Sequence, residues 1–112
     1  MTTDELKIST IPLLTMNDVS QVLRNIILEH LAMKKACAQS WDEIFAALFH
    51  IEVKGWHLVI FNDCGEIDYC DECISPDGPR WSFERVGCDG LDPILLLRIQ
   101  EQAVLEQLLQ HL

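Results

Sequence analysis

The sequence predicts an α+β domain: two N-terminal helices, a four-stranded antiparallel β-meander and a C-terminal amphipathic helix, with the helices on one face of the sheet. Three observations carry this reading. Apolar residues recur at three- and four-residue steps from Val19 to Leu31. The period drops to two between Phe49 and Phe61. At Asp92-Pro93 a helix start precedes a second apolar helical pattern that reaches Leu112.

Residues 1–14 read as a tail and residues 15–112 as one domain. Within the tail, Lys7 to Leu14 has the makings of a short strand, which Pro12 limits to an edge by removing a ladder donor. Thr15-Met16-Asn17-Asp18 caps the first helix, with a hydroxyl at the N-cap and an acid three residues on. Val19, Val22, Leu23, Ile26, Ile27 and Leu31 form its apolar face, and Lys34 and Lys35 suit its C-terminal end, so it is expected to stop near Ala36 to Ala38. Ser40-Trp41-Asp42-Glu43 is a second capping box, opening a short helix through about Ala47 that Trp41, Ile44, Phe45 and Leu48 dock.

The alternation that follows predicts a hairpin with a two-residue turn at Lys54-Gly55. Its register sets Val53 opposite Trp56, Ile51 opposite Leu58 and Phe49 opposite Ile60 on one face; Glu52 meets His57 and His50 meets Val59 on the other. Val59 and Phe61 imply that this second face is partly covered. Asp63-Cys64-Gly65 is a turn. Glu66 to Ile74 is a third strand, with Ile67 and Tyr69 facing one way and Asp68 and Cys70 the other. Ser75-Pro76-Asp77-Gly78 has the residues of a type I turn. Arg80 to Arg85 is a fourth strand with Trp81 and Phe83 inward, and Val86 to Leu91 a loop. In the last helix Ile94, Leu97, Val104, Leu105, Leu108 and Leu112 form the apolar face, widened by Leu95, Leu96 and Leu109. That surplus predicts either deeper burial or a homodimer through this helix.

The charge is −10 over 112 residues, and it is uneven. Residues 63–92 hold nine acids and two bases, net −7, against −2 for residues 1–62 and −1 for residues 93–112. Such acidity repels nucleic acid and anionic membranes and attracts basic protein surfaces; it also keeps a small protein soluble. No apolar run reaches the ~18 residues a membrane span needs. The N-terminus shows no basic stretch followed by an apolar one, so no secretion signal is read. A reducing cytoplasm follows as the expected location, where five cysteines, an odd number, are free thiols or metal ligands.

Chemistry concentrates between Asn62 and Ser75, which holds Cys64, Cys70 and Cys73, the acids Asp63, Glu66, Asp68, Asp71 and Glu72, and no Lys or Arg. Cys70-x2-Cys73 has zinc-knuckle spacing; Cys64 is a third ligand, and Cys88 or His57 a fourth. Against zinc stand the missing second knuckle and the neighbouring carboxylates, which raise thiol pKa values; small semi-buried thiols fit the same residues. A thioredoxin-like pair is disfavoured, since it needs a helix N-terminus. Asp63, Glu66 and Asp68 have oxygen donors for Ca²⁺ or Mg²⁺ but not the EF-hand spacing. His30, His50, His57 and His111 form no constellation, and no nucleophile elbow, P-loop or dinucleotide fingerprint occurs, so no enzyme signature is present.

Trp41-Asp42-Glu43-Ile44, Gly55-Trp56, Phe61-Asn62-Asp63-Cys64, Asp68-Tyr69-Cys70-Asp71-x-Cys73, Ser75-Pro76-Asp77-Gly78, Trp81-x-Phe83 and the Asp92-Pro93 helix start resemble a family of short uncharacterised bacterial proteins of pseudomonad type. The resemblance spans residues 25–112. It implies a cytoplasmic bacterial domain and assigns no activity and no site residues.

The function expected from these readings is a small acidic, non-catalytic protein-binding module of inhibitor, immunity or regulatory type. Its contact residues are Asp63, Glu66, Asp68, Asp71, Glu72 and Asp77, set against a basic partner surface. If that surface normally holds DNA or RNA, the module is a nucleic-acid mimic that itself binds no nucleic acid. The alternative is a zinc-stabilised domain using Cys64, Cys70, Cys73 and Cys88.

Overall fold

The computed structural model describes residues 13–29, 31–83 and 92–112. Five strands form one antiparallel meander, β1 (Lys34–Lys35), β2 (Ala46–Val53), β3 (Trp56–Asp63), β4 (Glu66–Ile74) and β5 (Arg80–Ser82), neighbours in sequence and in space. Among the described residues, the helices α1 (Met16–Glu29) and α2 (Ile99–Gln110) share one core with the sheet.

Helix α1 starts as its capping pattern dictates. The Asp18 amide donates to Thr15 Oγ1 at 3.1 Å, and the Thr15 amide donates to Asp18 Oδ2 at 2.9 Å. Val19, Leu23 and Ile26 are fully buried along its face. The helix ends at Glu29, well before Ala36. His30 lies outside the described residues. Leu31, Met33, Lys35 and Cys37 are half-buried while Ala32, Lys34, Ala36 and Ala38 are exposed, a period of two. Lys34 and Lys35, expected at a helix end, form an edge strand opposite Glu52 and Ile51. The Ala36 amide continues the pairing, donating to the His50 carbonyl at 2.8 Å. Ala, Met and Lys favour a helix locally; the open edge of β2 offers them a ladder instead.

The second expected helix is a single 3₁₀ turn, Trp41–Glu43. Its capping box is present, with the Ser40 amide donating to Glu43 Oε1 at 2.8 Å. From Ile44 on the chain is extended, and Ala46 and Ala47, expected in that helix, belong to β2, as does Leu48. The cross-strand ladder to β3 outweighs the local cap. Trp41 and Ile44 do dock, but Phe45 is 78% exposed and Leu48 39%.

The β2–β3 hairpin follows the sequence register: Val53↔Trp56, Glu52↔His57, Ile51↔Leu58, His50↔Val59 and Phe49↔Ile60, extended to Ala46↔Asp63. Lys54 and Gly55 both have positive φ, 47° and 83°, as a type I′ turn requires. Phe49, Ile51, Leu58 and Ile60 point to the helices, with Trp41 edge-on against Phe49. In the type I turn the Gly78 amide donates to the Ser75 carbonyl at 3.2 Å.

The fourth predicted strand is shorter than expected, Arg80–Ser82, and Phe83 is already helical; Glu84, Arg85 and the expected loop Val86 to Leu91 lie outside the described residues. Trp81 is buried; Phe83 is half-buried. Among the described residues the count is five strands, not four, because β1 replaces the end of a helix. Of the tail, Leu13 and Leu14 are described: Leu13 makes a parallel bridge to Arg80, whose carbonyl accepts from the Leu14 amide at 2.9 Å.

The C-terminal pattern is two pieces rather than one helix. Asp92 caps a 3₁₀ turn, Pro93–Leu96, and the chain is extended at Leu97 and Arg98 before α2 begins. Leu105 and Leu109 are fully buried, and Val104, Leu108 and Leu112 pack beside them. Of the three surplus leucines, Leu109 lies in the chain's own core, while Leu95 and Leu96 are exposed ahead of α2, as is Ile99.

Candidate functional site: the open face of the sheet

Alternation divides the sheet. Leu58, Ile60 and Asn62 of β3 face the helices, so His57, Val59, Phe61 and Asp63 face away. Val59 is only 1% exposed yet lies outside the core cluster, as expected of a residue covered by its neighbours on the far face. On that face His50 Nδ1 and His57 Nε2 are 3.2 Å apart, a diagonal contact across β2 and β3. Phe61 and Tyr69, directly opposite one another, stack with ring planes 5° apart and centroids at 5.3 Å. Phe83 extends the row, 4.6 Å from Tyr69. Among the described residues neither helix shares a core with this row beyond Phe83.

Strand β4 carries two irregularities, and both centre on aspartates. Val59 pairs with Glu72 but Ile60 with Cys70, so Asp71 is an extra residue; Phe61 pairs with Tyr69 but Asn62 with Ile67, so Asp68 is another. The insertions explain what strict alternation forbids. Cys70 and Cys73, three residues apart, both face the core, and Ile67 and Tyr69, two apart, face opposite ways. The expected pairings of Ile67 with Tyr69 and of Asp68 with Cys70 on one face are therefore corrected. An inserted residue escapes the ladder, which lets a short carboxylate sit in a strand that is otherwise half-buried.

Both bulges are tied to the C-terminal segment. The Cys70 amide donates to Asp92 Oδ1 at 3.3 Å, an oxygen that also caps Ile94 at 2.8 Å. The Ile67 amide donates to Glu106 Oε1 at 3.0 Å. Burial raises the Asp92 carboxyl above its ordinary range, partly offset by these two backbone donors.

The structure divides the six acids singled out by sequence. Asp63 and Glu66 flank the Cys64-Gly65 turn, with Asp68 exposed two residues further along β4. Glu72 is 3.2 Å from Arg80 in an ion pair. Asp77 lies in the turn after β4, at the far end of the strand, where the Ser75 hydroxyl accepts from its amide at 3.1 Å. Asp71 is half-buried in its bulge.

Two acids that sequence reasoning passed over, Asp42 and Glu43, join the first group. With Ile44, Phe45, Cys64 and Gly65 they line an open hollow of 410 Å³. Two buried anchors hold it: Trp41 Nε1 donates to the Gly65 carbonyl at 2.9 Å, and Asn62 Nδ2 to the Trp41 carbonyl at 2.9 Å. The signal was available in Trp41 and Asn62, a polar residue inside an apolar strand.

Among the described cysteines, Cys64 is set apart from the Cys70–Cys73 pair. Cys70 and Cys73 are buried, Cys64 is exposed on the turn, and Cys88 lies outside the described residues. Among the described residues no three His, Cys, Asp or Glu side chains are placed to share a metal ion, neither the cysteines nor Asp63, Glu66 and Asp68. Burial pushes the Cys73 thiol up to about 12, and burial, with the neighbouring Cys73 and Asp92, pushes Cys70 well above its usual range. Cys64 is raised by its hydrogen bond with Asp63. Neutral thiols pack as small apolar groups.

The chain belongs to the family described as domain of unknown function DUF7693. The family model matches residues 13–111, nearly the whole sequence. This agrees with the resemblance to an uncharacterised domain family seen in the motifs. The DUF7693 match covers the bulged β4 strand, the aromatic row and the Asp92 cap together, so all three lie within one family domain. No curated protein and no solved structure matches the chain. No helix among the described residues is long and apolar enough to cross a membrane.

Proposed function

We propose that this is a small non-catalytic binding module, cytoplasmic, that engages a basic surface of a partner protein as an inhibitor, immunity or regulatory factor does. The observation that carries the reading is the placement of charge. The most acidic quarter of the chain, residues 63–92, begins at the last residue of β3 and takes in β4, and Asp63, Glu66 and Asp68 stand exposed at the β3–β4 turn and along β4. Asp42 and Glu43 extend the same end around the exposed Phe45, giving an apolar anchor with a charged rim. The four described cysteines, all free thiols, fit a reducing compartment. Where the partner's basic surface serves DNA or RNA, the module acts as a mimic of that nucleic acid.

The test is kinetic. Partner captured at low salt is bound to the wild type and to a triple variant, Asp63→Ser, Glu66→Ser and Asp68→Ser. Electrostatic steering predicts association at least about tenfold slower for the variant, and a wild-type rate that falls with salt. Equal association rates with no salt dependence would end the proposal.

A further inference from the structure

We infer that the open face selects arginine over lysine in its partner, with guanidinium groups laid against the Phe61–Tyr69–Phe83 row. The inference rests on the basic-partner reading and adds a chemical class to it.

The row is the starting point. Phe61 on β3 and Tyr69 on β4 stack with ring planes within 5°, and Phe83, just past β5, closes on the Tyr69 ring at 4.6 Å, so the three rings form one aromatic row. All three are half-buried rather than enclosed. Aromatic side chains spread on a sheet face have two familiar ligands: stacked nucleobases and planar cations. Charge decides between them. Nucleobase platforms are flanked by basic residues that hold phosphates. Here the carboxylates of Asp63 and Glu66 follow Phe61 and precede Tyr69 in the paired strands, and Asp68 precedes Tyr69 directly. A phosphate chain is repelled from such a face and a cation drawn to it. The negative field at the row is felt by Tyr69, whose hydroxyl is held above its usual range by burial and by Asp71 and Asp68.

Among cations the geometry favours arginine. Its guanidinium is planar, weakly hydrated and able to lie against a ring while donating N–H groups sideways to a carboxylate. Lysine offers a compact, strongly hydrated charge that gains from the carboxylates and little from the rings.

The test compares two synthetic peptides, hexa-arginine and hexa-lysine, titrated into the whole protein by calorimetry at low salt. Hexa-arginine is expected to bind about five- to tenfold tighter, the equivalent of about 1 to 1.4 kcal/mol from one ring contact. In Phe61→Leu with Tyr69→Leu the preference is expected to fall to near one while hexa-lysine affinity is unchanged. Tyr69 is the chain's one tyrosine, so its ring resonances give a second readout on unmodified protein: hexa-arginine shifts them and hexa-lysine does not. Equal affinities for the two peptides, a preference that survives loss of the rings, or unmoved Tyr69 resonances overturn the arginine inference and leave the basic-partner reading standing. Binding of neither peptide overturns both.

Discussion

Asp92 is the residue on which the two halves of the fold meet, and removing its carboxylate is expected to be costly. One oxygen, Oδ1, accepts from the Ile94 amide at 2.8 Å and from the Cys70 amide at 3.3 Å, and the residue is only 4% exposed. In Asp92→Ala both donors lose their partner. Loss of an N-cap costs about 1 kcal/mol. An orphaned buried N–H costs about 1–3 kcal/mol, and the longer Cys70 bond places it near the lower end. The sum is about 2–3 kcal/mol, or a Tm lower by about 8–12 °C for a chain of this size. Asp92→Asn keeps the acceptor and is expected to lose less than about 1 kcal/mol.

Losing the titrating carboxyl also changes the pH dependence relative to the wild type. Burial raises the Asp92 carboxyl above its unfolded value near 3.8. A raised acid lends its stability below the unfolded pKa and loses it as pH rises through the folded one. Urea melts at pH 3.5 and pH 7 are therefore expected to show Asp92→Asn gaining on the wild type as pH increases. An Asp92→Ala loss under about 0.5 kcal/mol, or equal losses in the two variants, would refute the view that this oxygen joins β4 to the C-terminal segment.

Further outcomes follow from the same geometry. Gly65→Ala is expected to cost about 1 kcal/mol through backbone strain alone, since its φ is +92° and nothing lies within 4 Å of an added Cβ; chemical denaturation measures it. Trp41→Phe is expected to cost about 1 kcal/mol more than Trp81→Phe. Trp41 Nε1 loses its bond to Gly65, whereas Trp81 Nε1 has no partner among the described residues. Cys64 and Cys37 are expected to react with a disulfide reagent at pH 8 ahead of Cys70 and Cys73, which should label only at the rate of opening. Quick labelling of all four would contradict the burial. Leu105→Ala is expected to lose about 2–5 kcal/mol, as a fully buried leucine does.

The β2–β3 register was readable because period-two patterning leaves no freedom: a slip of one residue would move Phe49, Ile51, Leu58 and Ile60 into water. The caps at Thr15, Ser40 and Asp92 were readable because a cap is a contact within three residues. What followed two of these caps was not. Ser40 opens one turn and Asp92 a short one, because a cap fixes where a helix begins and packing fixes how far it runs. Lys34 and Lys35 misled for the same reason: they suit a helix end, yet pair with a strand that begins more than ten residues later.

Taken alone, the sequence determined the local chemistry of this protein: its α+β class, the hairpin register, the caps at Thr15, Ser40 and Asp92, and an acidic stretch free of lysine and arginine. Tertiary structure decided which of those residues act together. It placed two aspartates in bulges, turned Cys70 and Cys73 into the core, paired Glu72 with Arg80, and brought Asp42, Glu43 and Phe45 beside Cys64. The physical reason is range. Caps, turns and strand period are settled within a few residues, whereas bulges and shared surfaces depend on pairings between distant parts of the chain, whose closure no local pattern encodes.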